Sequence, residues 1–340
     1  MNRPLPIGSP PRYAYSLVKG VFVQDEDAYV PTANQLQPRL GLAADTWPDV
    51  QTMNATAPKG TIYKLIFAGR HGQGFHNVAI AKYTSNEWRN KCAMRNGDGE
   101  LTWGPDPKLT RLGIEQAETA RGAWLKVRPP APEAFYCSPH RRALKTCQIT
   151  FPNRRVKVLE DIREKLSGHT CDFRLPISEI RNKFPNFDFS SFESDGDPYA
   201  LTKPSDADID QETLPAEVLS RRNGHGLVVE SELQTAERVR RVLDFLFDHE
   251  PAHVISITAH AGWIRGLLDV TGRHRFQLQT GGITPFLIKA VRIRSEDDVQ
   301  TAEHKARDAA ATLGIESVAS VTTGTAPGGI RGPELHRTGY

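Results

Sequence analysis

The 340-residue chain has no apolar stretch approaching the about 18–20 residues that a membrane-spanning helix needs. Its opening segment, Met1-Asn2-Arg3-Pro4-Leu5-Pro6-Ile7-Gly8, lacks the apolar centre of a secretory signal. The two absences lead to the expectation of a cytoplasmic protein with no membrane partner. Cysteine is scarce: Cys92, Cys137, Cys147 and Cys171 form no Cys-x-x-Cys pair and no metal-ligand spacing. They are expected to be reduced thiols, with a disulfide-stapled secreted protein as the alternative. An excess of one charge is missing too. Lys and Arg total 43 against 40 Asp and Glu, and a net charge of +3 is too mild to point to a nucleic-acid partner. Neither an internal repeat nor a His-x-x-x-His or acid-rich ligand run occurs, so no metal is expected. Nothing marks an oligomeric state.

What the chain does have is alternation. Apolar runs at Ile62–Ala68, Ala134–Ser138, Val156–Leu159, Val254–Thr258 and Ile283–Val291 read as strands, with helical patterns between them. This predicts an α/β fold of three layers, a mainly parallel central sheet with helices on both faces. Residues 1–58, rich in Pro, Asp and Thr, read as an N-terminal arm lying on that domain and anchored by patches such as Val21-Phe22-Val23. The domain itself is placed at 59–295, with an inserted cap at about 166–228. That insert carries Asp188, Glu193, Asp195, Asp197, Asp206, Asp208, Asp210 and Glu212, and reads either as a lid or as a solvated acidic loop. Residues 296–340 read as a short helix over Thr301–Leu313 followed by a flexible tail.

One helix shows the reasoning. Ser231 and Gln234 form a capping box, each satisfying a free backbone N–H. Leu233, Ala236, Val239, Leu243, Leu246 and Phe247 then recur along one face, while Glu237, Arg238, Arg240 and Arg241 fall mostly on the other. Pro251 cannot continue the helix.

The chemistry gathers at strand ends. The first run ends in Gly69-Arg70-His71-Gly72, placing an imidazole and a guanidinium at the carboxyl edge of the sheet, where open α/β sheets bind ligands. A histidine beside a fixed positive charge suits attack on an anionic phosphate ester. Three other segments supply matching groups. Ser138-Pro139-His140-Arg141-Arg142-Ala143 follows the second run, and Ile162-Arg163-Glu164 follows the third. Thr258-Ala259-His260-Ala261-Gly262 ends the fourth. Parallel strands bring such ends together however far apart they lie in sequence. Leu109-Thr110-Arg111-Leu112-Gly113-Ile114-Glu115-Gln116-Ala117 opens a helix with Thr110 as its cap.

Over about residues 60–292 these motifs resemble the histidine phosphatase superfamily, the phosphoglycerate-mutase-like fold. The Arg-His-Gly, Leu-Thr-x-x-Gly-x-x-Gln-Ala, Ser-Pro-x-x-Arg-Ala and late His-x-Gly signatures occur in the family's order. The stretch from Glu160 to Arg174, with Glu164, His169, Cys171-Asp172 and Arg174, is similar to a fungal phosphomutase-like subgroup. The resemblance implies a phosphatase acting on a small-molecule phosphate ester, with no metal or other cofactor. His71 would be the nucleophile that forms a phosphohistidine. Arg70, Arg142 and His260 would surround the transferring phosphoryl group, and Asn77 would donate a further hydrogen bond. Glu164 would be the general acid, with Glu160 and Asp161 as nearby rivals.

Other residues receive plainer readings. His140 is read as a surface histidine, with substrate contact as the alternative, and His76 and His169 as polar surface residues, with a place in the pocket lining as the alternative. Arg141 is expected to face away from the phosphate, and Arg221-Arg222 could meet a second anionic group. Three alternatives stand beside hydrolysis: a mutase of the same family, a catalytically inactive binding protein, and a metal-dependent hydrolase. Glu164-Lys165-Leu166-Ser167-Gly168 departs from the Glu-Arg-x-Tyr-Gly context of the mutases, which favours hydrolysis.

Overall fold

The computed structural model describes residues 9–32, 35–199 and 229–293. In chain order the elements are β1 (Tyr13–Leu17), α1 (Val50–Ala55), β2 (Thr61–Arg70), α2 (Phe75–Lys82), the single turn α3 (Ser85–Glu87) and α4 (Arg111–Val127). They continue with β3 (Ala134–Cys137), α5 (Arg141–Thr150), β4 (Val156–Val158), α6 (Ile177–Lys183) and β5 (Phe187–Asp188). The last four are α7 (Glu232–His249), β6 (Val254–Ala259), α8 (Ala261–Thr271) and β7 (Ile283–Arg292). The sheet runs β1-β7-β2-β6-β3-β4-β5. Pairing is parallel from β2 through β6, β3 and β4 to β5, and antiparallel where β7 meets β2 and β1. The expected mainly parallel α/β sheet is what forms. Among the described residues no helix is long and apolar enough to cross a membrane.

The three layers follow from strand alternation. On β2, Ile66 and Ala68 face a core shared with Val239, Leu243 and Leu246 of α7 and Trp263 and Leu267 of α8. Leu65 and Phe67 face the opposite side, where Ala120 of α4 packs and Trp124 meets Phe67 edge-on at 4.8 Å. Phe135 and Cys137 of β3 extend that second side over Leu144 and Cys147 of α5. All four cysteines are buried free thiols.

The N-terminal segment does more than lie on the surface. Tyr13–Leu17 adds the edge strand beside β7, and Phe22 is fully buried with Leu40 and Leu42. A buried ion pair of Asp25 with Arg273 ties it to the segment after α8. In the acidic insert, Phe187–Asp188 lengthens the sheet as β5. Asp197 is buried rather than solvated, with a bidentate pair to Arg163 at 2.8–2.9 Å. Asp206, Asp208, Asp210, Glu212, Arg221-Arg222 and the Thr301–Leu313 helix lie outside the described residues.

The Ser231 capping box forms as read. Its helix corrects three side-chain assignments. Arg238 and Arg241 are buried, because α7 packs against the segment that follows β4. Arg238 pairs with Glu230 and donates to the carbonyls of Asp161 and Arg163, and Arg241 pairs with Asp161 at 3.0 Å. Leu233, placed on the apolar face, is instead exposed in the first turn.

Two glycines fix the loop after β2 against α4. A Cβ on Gly113 would lie 2.1 Å from the Gln73 carbonyl oxygen, and one on Gly72 would lie 2.2 Å from the Gly113 carbonyl oxygen. Backbone there cannot give way as a flexible side chain could. Gly113→Ala should therefore destabilise the protein by about 1–3 kcal/mol, the usual cost of overpacking. Gly122→Ala, in the same helix with no atom within 4 Å of its Cβ, should stabilise by about 0.5–1 kcal/mol through helix propensity. Denaturant melts of the two variants check both signs, and equal effects would refute the close-approach argument.

Candidate active site

The site is assembled on one edge by hydrogen bonds that continue past the strands. His71 N–H donates to Ala259 O and Ser138 N–H to Thr258 O, each at 3.0 Å. The loop carrying His71 is then gripped by the Leu-Thr-x-x-Gly-x-x-Gln-Ala helix. Thr110 Oγ1 caps α4 by accepting from Gly113 N–H and donates to the Gln73 side-chain oxygen at 2.8 Å. Gln116 Oε1 accepts from Gln73 N–H at 2.7 Å, and Thr146 Oγ1 accepts from Gly72 N–H at 3.0 Å. In this chain that motif positions the loop.

His71 is almost wholly buried. Its Nδ1 lies 2.7 Å from Gly72 O. A carbonyl only accepts, so Nδ1 carries the proton and Nε2 keeps a lone pair. Burial, with Arg142 and Arg70 adding to it, holds the ring well below the ordinary histidine range and therefore neutral. The His71 ring stands 4.9 Å from that of His260 and 5.3 Å from that of His76. Arg70 donates to Leu278 O at 2.8 Å and Arg142 to Cys171 O at 3.0 Å, and the Nε of each is buried without a partner among the described residues. Asn77 accepts from Gly74 N–H through Oδ1 at 2.9 Å, which leaves its amide nitrogen as a donor.

The carboxylates after β4 differ sharply. Glu160 is committed to Arg163 and Arg174, both at 2.8 Å, and Asp161 to Arg241. Glu164 accepts from the backbone N–H groups of Lys165 and Gly262 through Oε1, both at 2.8 Å. Burial raises its pKa, Asp172 adds to this, and Arg142 and Arg70 pull the other way.

His140 corrects the sequence reading. It is fully buried, its ring 4.9 Å from His260. Its Nε2 lies 3.0 Å from Asp172 O, so that nitrogen is the donor and Nδ1 accepts from Ser138 Oγ at 3.2 Å. Ser138 Oγ in turn accepts from His260 Nε2 at 2.7 Å. The chain Asp172–His140–Ser138–His260 thus fixes the direction of every proton and leaves His260 Nδ1 bare. Burial is the main cause holding both rings well below the histidine range. His76 is also buried, next to His71, because α2 begins three residues after Gly72 and folds inward over the loop. His169 is half-buried against Trp88. Arg141 turns to Asp106, and burial pushes that carboxyl up to about 6. Ser138, His140 and Asp106 are the site residues that sequence reasoning missed. The Ser of Ser-Pro-x-x-Arg was the available signal for the first of them.

Residues 70–200 match the family model of the histidine phosphatase superfamily, branch 1. A relative from Arthroderma benhamiae named "Probable phosphoglycerate mutase" is 33% identical over 314 residues, covering 82% of this chain and 85% of its own. "Phosphomutase-like protein 3" of Candida albicans is 30% identical over 248 residues, covering 72% and 69%. Among solved structures, the alpha-ribazole phosphatase from Shigella flexneri covers 65% of this chain and 89% of its own at 15% identity and a TM-score of 0.38. With a third of its residues shared across most of the Arthroderma protein's length, the chain belongs to the histidine phosphatase superfamily.

Proposed function

We propose that this protein hydrolyses the phosphate monoester of a small molecule through a phosphohistidine on His71. The observation that carries the reading is the Nδ1–H···O bond to Gly72, which leaves a neutral imidazole with its Nε2 lone pair among cations. Nε2 attacks phosphorus and the bond to the ester oxygen breaks. The protonated carboxyl of Glu164 gives its proton to that leaving oxygen. Arg70, Arg142 and the Asn77 amide stabilise the equatorial oxygens during transfer. Water then attacks the phosphohistidine, Glu164 takes a proton from it, and inorganic phosphate leaves. An anionic phosphoryl group would favour proton uptake at the bare Nδ1 of His260, turning that ring into a charged donor.

The relatives named as mutases support a second reading, in which the phosphoryl group returns to a bound intermediate. The Glu164-Lys165-Leu166-Ser167-Gly168 segment speaks for hydrolysis. Incubation with 3-phosphoglycerate separates the two: release of inorganic phosphate supports hydrolysis, and an isomer with no phosphate release supports the mutase.

His71→Ala should lose all turnover of p-nitrophenyl phosphate, while the unaltered protein keeps its turnover in EDTA and yields acid-labile phosphohistidine on rapid quench. Loss in EDTA would refute the metal-free mechanism. Glu164→Gln should slow alkyl phosphates by about 10²–10⁴-fold and p-nitrophenyl phosphate far less, because nitrophenolate leaves without a proton. The raised pKa of Glu164 sets the sign of the pH effect. With transfer to His71 rate-limiting, alkyl ester turnover should fall as pH rises through that pKa, and the p-nitrophenyl rate should lack this limb. Phosphate binding should take up a proton at neutral pH, read as a heat that changes with buffer ionisation enthalpy in calorimetry. Identical heats in all buffers would exclude charging of His260.

A further inference from the structure

A second cluster of donors stands beside Glu164, and the phosphate chemistry leaves it unused. His169, Cys171 and Asp172 each offer one ligand atom, and these atoms all lie within 4.8 Å of one another. The spacing His-x-Cys-Asp carries no familiar ligand signature, so the local fold creates the grouping. His169 caps a single 3₁₀ turn over Thr170–Asp172, closed by Asp172 N–H to His169 O at 3.0 Å. In a 3₁₀ turn residues i and i+3 eclipse, which stacks His169 over Asp172.

The three groups are prepared for a cation in different ways. Asp172 is buried, and its Oδ2 is held by the backbone N–H and hydroxyl of Ser167. Among the described residues its Oδ1 has only the weak donor Cys171 Sγ at 3.5 Å. The His169 ring is set edge-on by Trp88, with centroids 5.9 Å apart, and makes no hydrogen bond among the described residues. A carboxylate oriented by outer hydrogen bonds and an imidazole fixed by packing are what supports a first coordination shell. Cys171 and Asp172 are buried while His169 is half-buried and Ser167 exposed, which gives an ion a way in.

We propose that His169, Cys171 and Asp172 bind one thiophilic divalent cation of the zinc type, with water as the fourth ligand. One nitrogen, one sulfur and one carboxylate oxygen form a donor set that zinc favours and magnesium or calcium does not. Binding forms the metal–sulfur bond and breaks the S–H bond, and the proton passes to the buffer, so affinity falls as pH falls. Thiolate and carboxylate together offset the charge of the ion. The turn also holds the phosphate pocket: Cys171 O accepts from Arg142, and Asp172 O from His140 and from Arg163 at 2.6 Å. An ion drawing this turn together would displace Arg142 and slow turnover. That consequence rests on the phosphatase reading, and the binding itself does not.

The test uses the full chain, stripped with EDTA, desalted and titrated with Co²⁺. The expected result is one equivalent bound, with a thiolate-to-cobalt band in the near ultraviolet and visible bands of tetrahedral intensity, displaced by Zn²⁺. Cys171→Ser should remove the near-ultraviolet band, and His169→Gln should weaken cobalt binding by about 10–100-fold. The absence of a thiolate band in the unaltered protein would overturn the site, as would a band that survives Cys171→Ser and so belongs to another thiol. His169→Gln changes a half-exposed side chain, so unchanged cobalt affinity there overturns the site even if Cys171→Ser fails to fold. A cobalt band in a protein that turns over no phosphate ester would leave the site standing and refute the phosphatase reading.

Discussion

Everything at this site hangs from the last residues of β6. The carbonyl oxygens of Thr258 and Ala259 receive the N–H groups of Ser138 and His71, and the next residue is His260 itself. Leu159 N–H extends the arrangement outward by donating to Cys137 O at 3.1 Å, which sets the start of the segment leading to Glu164. Three loops from distant parts of the chain are thereby referred to one strand. Parallel pairing makes this possible, because it puts the carboxyl ends of β2, β3, β4 and β6 on one side.

The arginines divide by what they lean on. Arg163, Arg174, Arg238, Arg241 and Arg273 end on carboxylates and are neutralised inside the fold. Arg70 and Arg142 donate to carbonyl oxygens, which hold a guanidinium in place without cancelling its charge; the nearest carboxylate to Arg142, Asp106, stands 4.0 Å away. Burial, with the field of Arg142 added to it, holds four neighbouring imidazoles well below the histidine range, and Arg70 contributes at His71 and His76. The site therefore offers positive charge to an anion while keeping its nitrogen lone pairs available. Buried positive charge without a carboxylate in direct hydrogen-bond contact is costly, and an anionic phosphoryl group would relieve it.

Legibility in the sequence tracked how local each cause was. Strand runs, the Thr110 and Ser231 caps, and the strand-end placement of Arg70, His71 and His260 depend on neighbours within a few residues, and all can be read from the chain. The short alternation Tyr13-Ala14-Tyr15-Ser16-Leu17 is visible too, but nothing in it says that it will pair with a strand some 275 residues later. His140 reads as a surface residue because it opens a helix amid polar neighbours. Its burial depends on the Asp172 carbonyl, which a separate turn brings in. Arg238 and Arg241 fit the polar face of an amphipathic helix until the segment after β4 packs over that face and supplies their acceptors.

The sequence by itself determined the fold class, the family and the identity of the groups at the strand ends, because periodicity and short motifs are carried by covalent neighbours. Only the tertiary structure decided which of Glu160, Asp161 and Glu164 are paired with arginine, since that depends on whether a guanidinium reaches the carboxylate. It also decided which nitrogen of His71 is bare and how the protons run from His140 to His260. Those directions are imposed by carbonyl oxygens, which can accept and never donate, and no sequence pattern says where a backbone carbonyl will point.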